Sequence, residues 1–177
     1  MEIENNINIT HLNISFFKRV KYYFKIFIGI TSVFGMLYLI GDKAIDFTTY
    51  LIIIFISFGS LTYYSVYRTK LYLTCFTSDS KKIEISYLHY SEEKIIISKI
   101  EEIETRLKNT SSRSGFNCEL EIFIDKKKFI INRDFDWSFY EIKKIFEYIK
   151  LQKKEKLTEK EKFIISRIEH KLKKTSL

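Results

Sequence analysis

The sequence predicts an α+β membrane protein: a two-helix transmembrane hairpin, a small antiparallel sheet or barrel closed by a helix, and a C-terminal amphipathic helix. Three observations predict it. Two long apolar runs lie within residues 22–67 and flank a short polar connection at 41–46. From Leu71 the apolar period drops to two, and short strands follow one another as far as Ile131. Two capping boxes, Ser138 with Glu141 and Thr158 with Glu161, then open amphipathic helices.

The hairpin is justified by length and polarity. A bilayer core needs about 20 mostly apolar residues per helix. Residues 22–40 carry one full charge, Lys25, near their start, and residues 47–67 carry none. Tyr22, Tyr23, Tyr38, Tyr50, Tyr63, Tyr64 and Tyr67 mark the ends of the runs, where such rings sit at the headgroup level. Lys25 can snorkel to the nearer interface. Gly29, Ser32 and Gly35 in the first run, and Ser57, Gly59 and Ser60 in the second, are small enough for close helix approach. Lys18, Arg19, Lys21 and Lys25 precede or open the first run, and Arg68 and Lys70 follow the second. The connection holds one lysine and two aspartates. The positive-inside bias then puts both termini in the cytoplasm. With no proline and abundant Ile, Lys, Asn, Phe and Tyr, the composition points to an AT-rich genome, and the expected address is a bacterial inner membrane.

The 177 residues leave room for one small domain beside the hairpin. The expected division is an N-terminal cytoplasmic segment at 1–21, the hairpin at 22–67, a cytoplasmic domain at 68–152 and a basic C-terminal helix at 153–177. Ile7 and Ile9 alternate with Asn8 and Thr10, compatible with a short strand. Strands are predicted around Leu71–Phe76, Ile83–Leu88, Lys94–Ser98, Glu104–Leu107, Cys118–Ile124 and from Phe129, forming a meander with one apolar and one wet face. Phe139, Ile142, Phe146 and Ile149 form the stripe of a closing helix. Ile164, Ile165, Ile168 and Leu172 form the stripe of the last one. Ten Lys or Arg against four Glu in residues 150–177 carry most of the net charge of +8.

No catalytic constellation emerges. Cys75 and Cys118 lack metal spacing, and His11, His89 and His170 stand far apart. Glu92-Glu93 and Glu101-Glu102 are adjacent pairs whose side chains would point to opposite faces of a strand. No glycine-rich phosphate loop occurs. The expectation is a non-enzyme without metal, cofactor or nucleic-acid ligand. The candidate contacts to anionic lipid headgroups are Lys18, Arg19, Lys21, Lys81, Lys82, Lys126 and Lys128. The apolar stripe Ile164, Ile165, Ile168 and Leu172 must pack on its own domain, on a protein partner or second copy, or on the membrane surface, and supplies the candidate partner-binding residues.

Two runs carry a resemblance. Ile95-Ile96-Ile97-Ser98-Lys99-Ile100-Glu101-Glu102-Ile103 and Phe129-Ile130-Ile131-Asn132-Arg133-Asp134-Phe135, the latter leading into residues 141–149, resemble the bacterial two-pass membrane proteins with a cytoplasmic PH-like domain, the YcxB-like type. The resemblance covers residues 7–152 and implies a PH-like barrel tethered to the membrane, with no defined activity. The function expected is therefore an inner-membrane protein whose PH-like domain binds a protein partner. The alternatives are a membrane immunity protein that neutralises a toxin, and a PH-like domain that binds anionic lipid headgroups.

Overall fold

The two apolar runs fold as long helices, α1 (Phe16–Ile40) and α2 (Phe47–Thr69), in a computed structural model that describes residues 6–40, 46–79, 82–111 and 115–175. The connection at 41–45 lies outside the described residues. Asp46 caps α2, accepting from the Thr49 backbone N–H at 2.9 Å and from its hydroxyl at 2.8 Å. Tyr23 meets Tyr64 edge-on at 5.9 Å, Phe27 meets Phe58 at 5.2 Å, and Tyr38 stacks on Tyr50 at 4.9 Å. The partners descend one helix as they climb the other, so α1 and α2 are antiparallel. Gly35 lies at this contact: a Cβ there would come within 3.3 Å of the Tyr50 hydroxyl. Gly29 and Gly59, expected to aid close approach, instead face open space.

The outward side chains of both helices are large and apolar. Phe17, Ile28, Met36, Leu39, Phe55 and Ile56 are all exposed. The hydroxyls of Thr31 and Ser32 donate back to the carbonyls of Phe27 and Ile28, so these polar groups are satisfied within their own helix. Among the described residues, α2 is the one helix long and apolar enough to cross a membrane. The first ten residues of α1 contain Lys18, Arg19, Lys21 and Lys25, which shortens its charge-free stretch.

Around this helical unit, Ile14–Lys70, the rest of the chain forms a second unit from Met1–Asn13 and Leu71–Leu177. The N-terminal alternation is a real strand, β1 (Ile7–Thr10). It pairs antiparallel with β2 (Leu71–Asp79), Ile7 opposite Ser78 and Thr10 opposite Cys75. β3 (Lys82–His89) and β4 (Glu92–Lys99) complete a four-stranded sheet in the order β1-β2-β3-β4. β5 (Glu104–Asn109), β6 (Cys118–Ile124) and β7 (Lys127–Asn132) make a separate three-stranded sheet. The single meander expected from the sequence is thus broken in two. The break is a 3-10 turn, Ile100–Glu102, where Ile100 and Ile103 are both buried and the Lys153 ammonium donates to the Ile103 carbonyl at 2.9 Å.

Alternation decides what each sheet buries. Phe76, Ile83 and Ile85 from the first sheet and Leu120, Ile122, Phe129 and Ile131 from the second are fully buried. Tyr87 and Phe129 join the two sheets through an edge-on ring contact at 5.0 Å. Helix α3 (Phe139–Gln152) closes this core with Ile142, Ile145, Phe146 and Ile149. Its capping box has the predicted partners, the Glu141 N–H donating to Ser138 Oγ and the Ser138 N–H to Glu141 Oε2 at 2.8 Å. The Tyr148 hydroxyl reaches Ser78 Oγ at 3.1 Å and ties α3 to β2. Helix α4 (Glu159–Thr175) starts from the second box, Thr158 with Glu161.

β1 is held at both ends of its reach. Beyond it, His11 stacks on Trp137 at 4.3 Å and donates its Nε2–H to the Phe135 carbonyl at 2.8 Å. Trimming the buried Ile7 to alanine is expected to cost about 2–4 kcal/mol through lost burial and the cavity left behind. Leu12→Ala, at a side chain 73% exposed, should stay within about 0.5 kcal/mol. Thermal melts of the full chain in detergent check both, and an Ile7→Ala protein as stable as Leu12→Ala would show that β1 is not part of the core.

Candidate interaction surfaces

The residues that could carry chemistry do not converge. Cys118 is buried on β6, and burial pushes its thiol up to about 12, against a smaller opposing effect of the Arg133 charge. A thiol in that state is a poor nucleophile. Cys75 sits beside the polar groups of Asn8, Thr10 and Thr77. His11 is committed to Trp137 and Phe135. Glu92 pairs with Lys94 at 3.1 Å, and Glu102 accepts from the Ser98 hydroxyl at 2.8 Å. Among the described residues, no three His, Cys, Asp or Glu come together in a way that could hold a metal ion.

The seven candidate headgroup contacts have unlike fates. Lys18 and Lys21 are exposed at the start of α1. Arg19, between them, is buried and donates from Nη1 to the Thr69 carbonyl at 2.7 Å. Its charge is spent on the C-terminal end of α2, where unpaired helix carbonyls favour a cation. Lys81 lies outside the described residues. Lys82 is exposed at the β2–β3 connection and Lys126 at the β6–β7 turn, in different sheets. Lys128 is half-buried and paired to Glu121 at 2.5 Å. The basic side chains therefore form no single cluster among the described residues.

Glu121 is the polar group that reading one strand at a time missed. Alternation put Glu119 and Glu121 on the wet face of β6, yet both are buried. β6 is the central strand of its sheet, with Arg106 opposite Glu121 on β5 and Ile130 opposite it on β7. Long neighbours roof that face. Lys108 and Lys128 both donate to Glu121 Oε1, at 2.7 and 2.5 Å. Arg106 and Lys128 both lie over the Phe123 ring, at 4.9 and 5.8 Å. Burial alone would push the Glu121 carboxyl up, but the hydrogen bonds and charges of the two lysines outweigh it and hold the group below its ordinary range.

The α4 stripe turns onto its own domain. Ile164, Ile165 and Ile168 are buried, and Leu172 is half-buried. Of the three destinations the stripe could have had, the chain itself supplies one, because α4 lies against α3 and β5. Between α3 and α4 runs an open groove of about 660 Å³ lined by Tyr140, Leu151, Leu157 and Leu172 among lysines and glutamates. Its charges are paired across the groove: Lys143 with Glu169 at 2.6 Å, and Lys150 with Glu155 at 2.9 Å and Glu161 at 3.2 Å. Burial pushes both ammonium groups down, but these glutamates outweigh it and hold them above the usual lysine range. Basic residues already matched in this way leave little charge for an anionic ligand.

No model of a known protein family matches the chain, and a search of curated proteins finds no match either.

The Glu121 arrangement sets a pH dependence with a definite sign. A carboxyl held below its unfolded value stabilises the fold at neutral pH, and that contribution is lost as pH falls through the lowered folded value. Glu121→Gln keeps the shape but removes the charge that Lys108 and Lys128 meet. It is expected to cost about 1.5–3 kcal/mol at pH 7, the range for hydrogen bonds to a charged group. Below the carboxylate range the two proteins should converge. Melting curves of both at pH 7 and pH 3 check this, and a difference unchanged between the two would contradict the assignment.

Proposed function

We propose that this is a membrane-anchored, non-enzymatic binding protein. In this reading α1 and α2 cross the bilayer as a hairpin, both termini lie in the cytoplasm, and the strand-rich unit is a PH-like domain that engages a protein partner. The observation that carries it is where the hairpin sits in the chain. It is inserted between β1 and β2, which are hydrogen-bonded neighbours, so it leaves and re-enters one sheet. Both ends of the hairpin therefore start from the same domain, as a two-pass anchor requires.

The helix surfaces support the same reading. Their outward side chains are Phe, Ile, Leu, Met and Val, a surface suited to hydrocarbon and costly in water. α2 has the length and composition of a span. α1 reaches span length if Lys21 and Lys25, both exposed, extend their ammonium groups to the interface. The orientation follows from the lysine and arginine bias at the domain end of the hairpin. The PH-like assignment, and with it the resemblance to the YcxB-like type, is supported by the four- and three-stranded sheets followed by a closing helix. The absence of an enzymatic role is argued from the buried, high-pKa Cys118 and the structural engagement of His11.

The test combines extraction and labelling. Membranes from expressing cells, washed with alkaline carbonate, are expected to retain the protein. A cysteine replacing Lys43 in the connection should react with an impermeant thiol reagent added to intact cells, whereas one replacing Lys174 should react only after lysis. Release of the protein by carbonate, or labelling of the Lys174→Cys protein from outside, would overturn the reading.

A further inference from the structure

We propose that β4 is a self-complementary edge through which two copies of this chain join their four-stranded sheets into one continuous sheet. β4 is the last strand of its sheet, and among the described residues β3 is its one strand neighbour. It is exposed along most of its length. Ile95 and Ile97, on the face opposite the core, are 60% and 64% exposed. Exposed β-branched residues on an open strand edge form a template for pairing with another strand. The strand carries no proline and no bulge that would spoil its register against β3, from Lys82 opposite Lys99 to His89 opposite Glu92.

The sequence of β4 selects its occupant. Two copies related by a two-fold axis perpendicular to the sheet keep like faces together, so the axis must pass beside one residue. With the axis at Ile96, Glu93 of each copy lies opposite Lys99 of the other, Lys94 lies opposite Ser98, and Ile95 opposite Ile97. Both charged positions are exposed in the single chain, and each finds the opposite sign in the dimer. Four isoleucines then form one patch on the outer face. Moving the axis to Ile95 sets Glu93 against Ile97 and Lys94 against Ile96. Moving it to Ile97 sets Lys99 against Ile95. Only the register centred on Ile96 matches charge with charge and apolar with apolar. The occupant is therefore a second β4, antiparallel to the first.

The register is directly testable, because each residue has one partner. In full-length protein in detergent, with Cys75→Ser in place, Ile96→Cys is expected to cross-link to itself under mild oxidation. Residues directly opposite in an antiparallel pair are within disulfide reach. Ile95→Cys and Ile97→Cys should each fail alone and cross-link to each other when the two proteins are mixed. Glu93→Lys places like charges opposite one another at two symmetric points and should weaken the dimer about tenfold or more. Adding Lys99→Glu to Glu93→Lys should restore it. Sedimentation reads the dimer independently of any cysteine. A protein that stays monomeric, one that cross-links in a different register, a dimer indifferent to Glu93→Lys, or a β4 edge that takes up a foreign strand in preference to its own would each overturn the proposal.

Discussion

Strand β1 pairs with β2 across the whole length of the helical hairpin, Ile7 opposite Ser78 and Thr10 opposite Cys75, and the rest of the structure depends on that register. The pairing brings Ile7 and Ile9 into the core and delivers His11 to Trp137 and Phe135. Through Glu141, 3.9 Å from His11 Nδ1, it reaches the capping box of α3. Closing a long loop costs entropy only logarithmically, about 0.6 kcal/mol for each doubling of length, so a hairpin of this size is a tolerable insertion. A hairpin that folds first, as membrane helices do, presents its two ends together and shortens the effective loop. The fold of one unit and the insertion of the other are then coupled through four residues of strand.

A second theme is how the chain handles charge that it buries. The three-stranded sheet has one apolar face and one face on which Glu121 meets Lys108 and Lys128, with Phe123 beneath two cations. Removing one partner of such a group leaves the others uncompensated, which is why a buried pair resists change even when it adds little net stability. The same economy appears between α3 and α4, where Lys143 and Lys150 are each matched by glutamates from the facing segment. The excess of Lys and Arg in the C-terminal region thus overstates the free positive potential there. This argues against a nonspecific anion-binding tail and favours α4 as a packed part of the domain.

Much of this architecture was legible in the sequence where a local rule suffices. The two capping boxes give the starts of α3 and α4 because Ser138 and Thr158 each have a glutamate three residues on. The alternation of Cys118, Leu120, Ile122 and Ile124 gives β6 and its buried face. What local rules do not carry is pairing. Nothing in residues 7–10 says that their partner lies beyond the hairpin. Nothing in 100–102 says that the strands on either side belong to different sheets, because Ile100 and Ile103 continue an apolar pattern while the backbone turns. Glu119 and Glu121 read as wet because their cover comes from β5 and β7. Arg19 read as a headgroup contact because its acceptor, Thr69, is fifty residues away. Ile95 and Ile97 are exposed for the same reason: position at a sheet edge is a property of topology, not of the strand's own sequence.

The central claim is that the outward face of the hairpin is solvated by lipid. Spin labels on cysteines replacing Ile28 and Phe55, near the middle of α1 and α2 and both exposed, measure this directly in protein reconstituted into bilayers. The account expects frequent collisions with molecular oxygen and rare collisions with a water-soluble nickel complex at both positions, as at the centre of a bilayer. Ready access of the nickel complex to either label would contradict it.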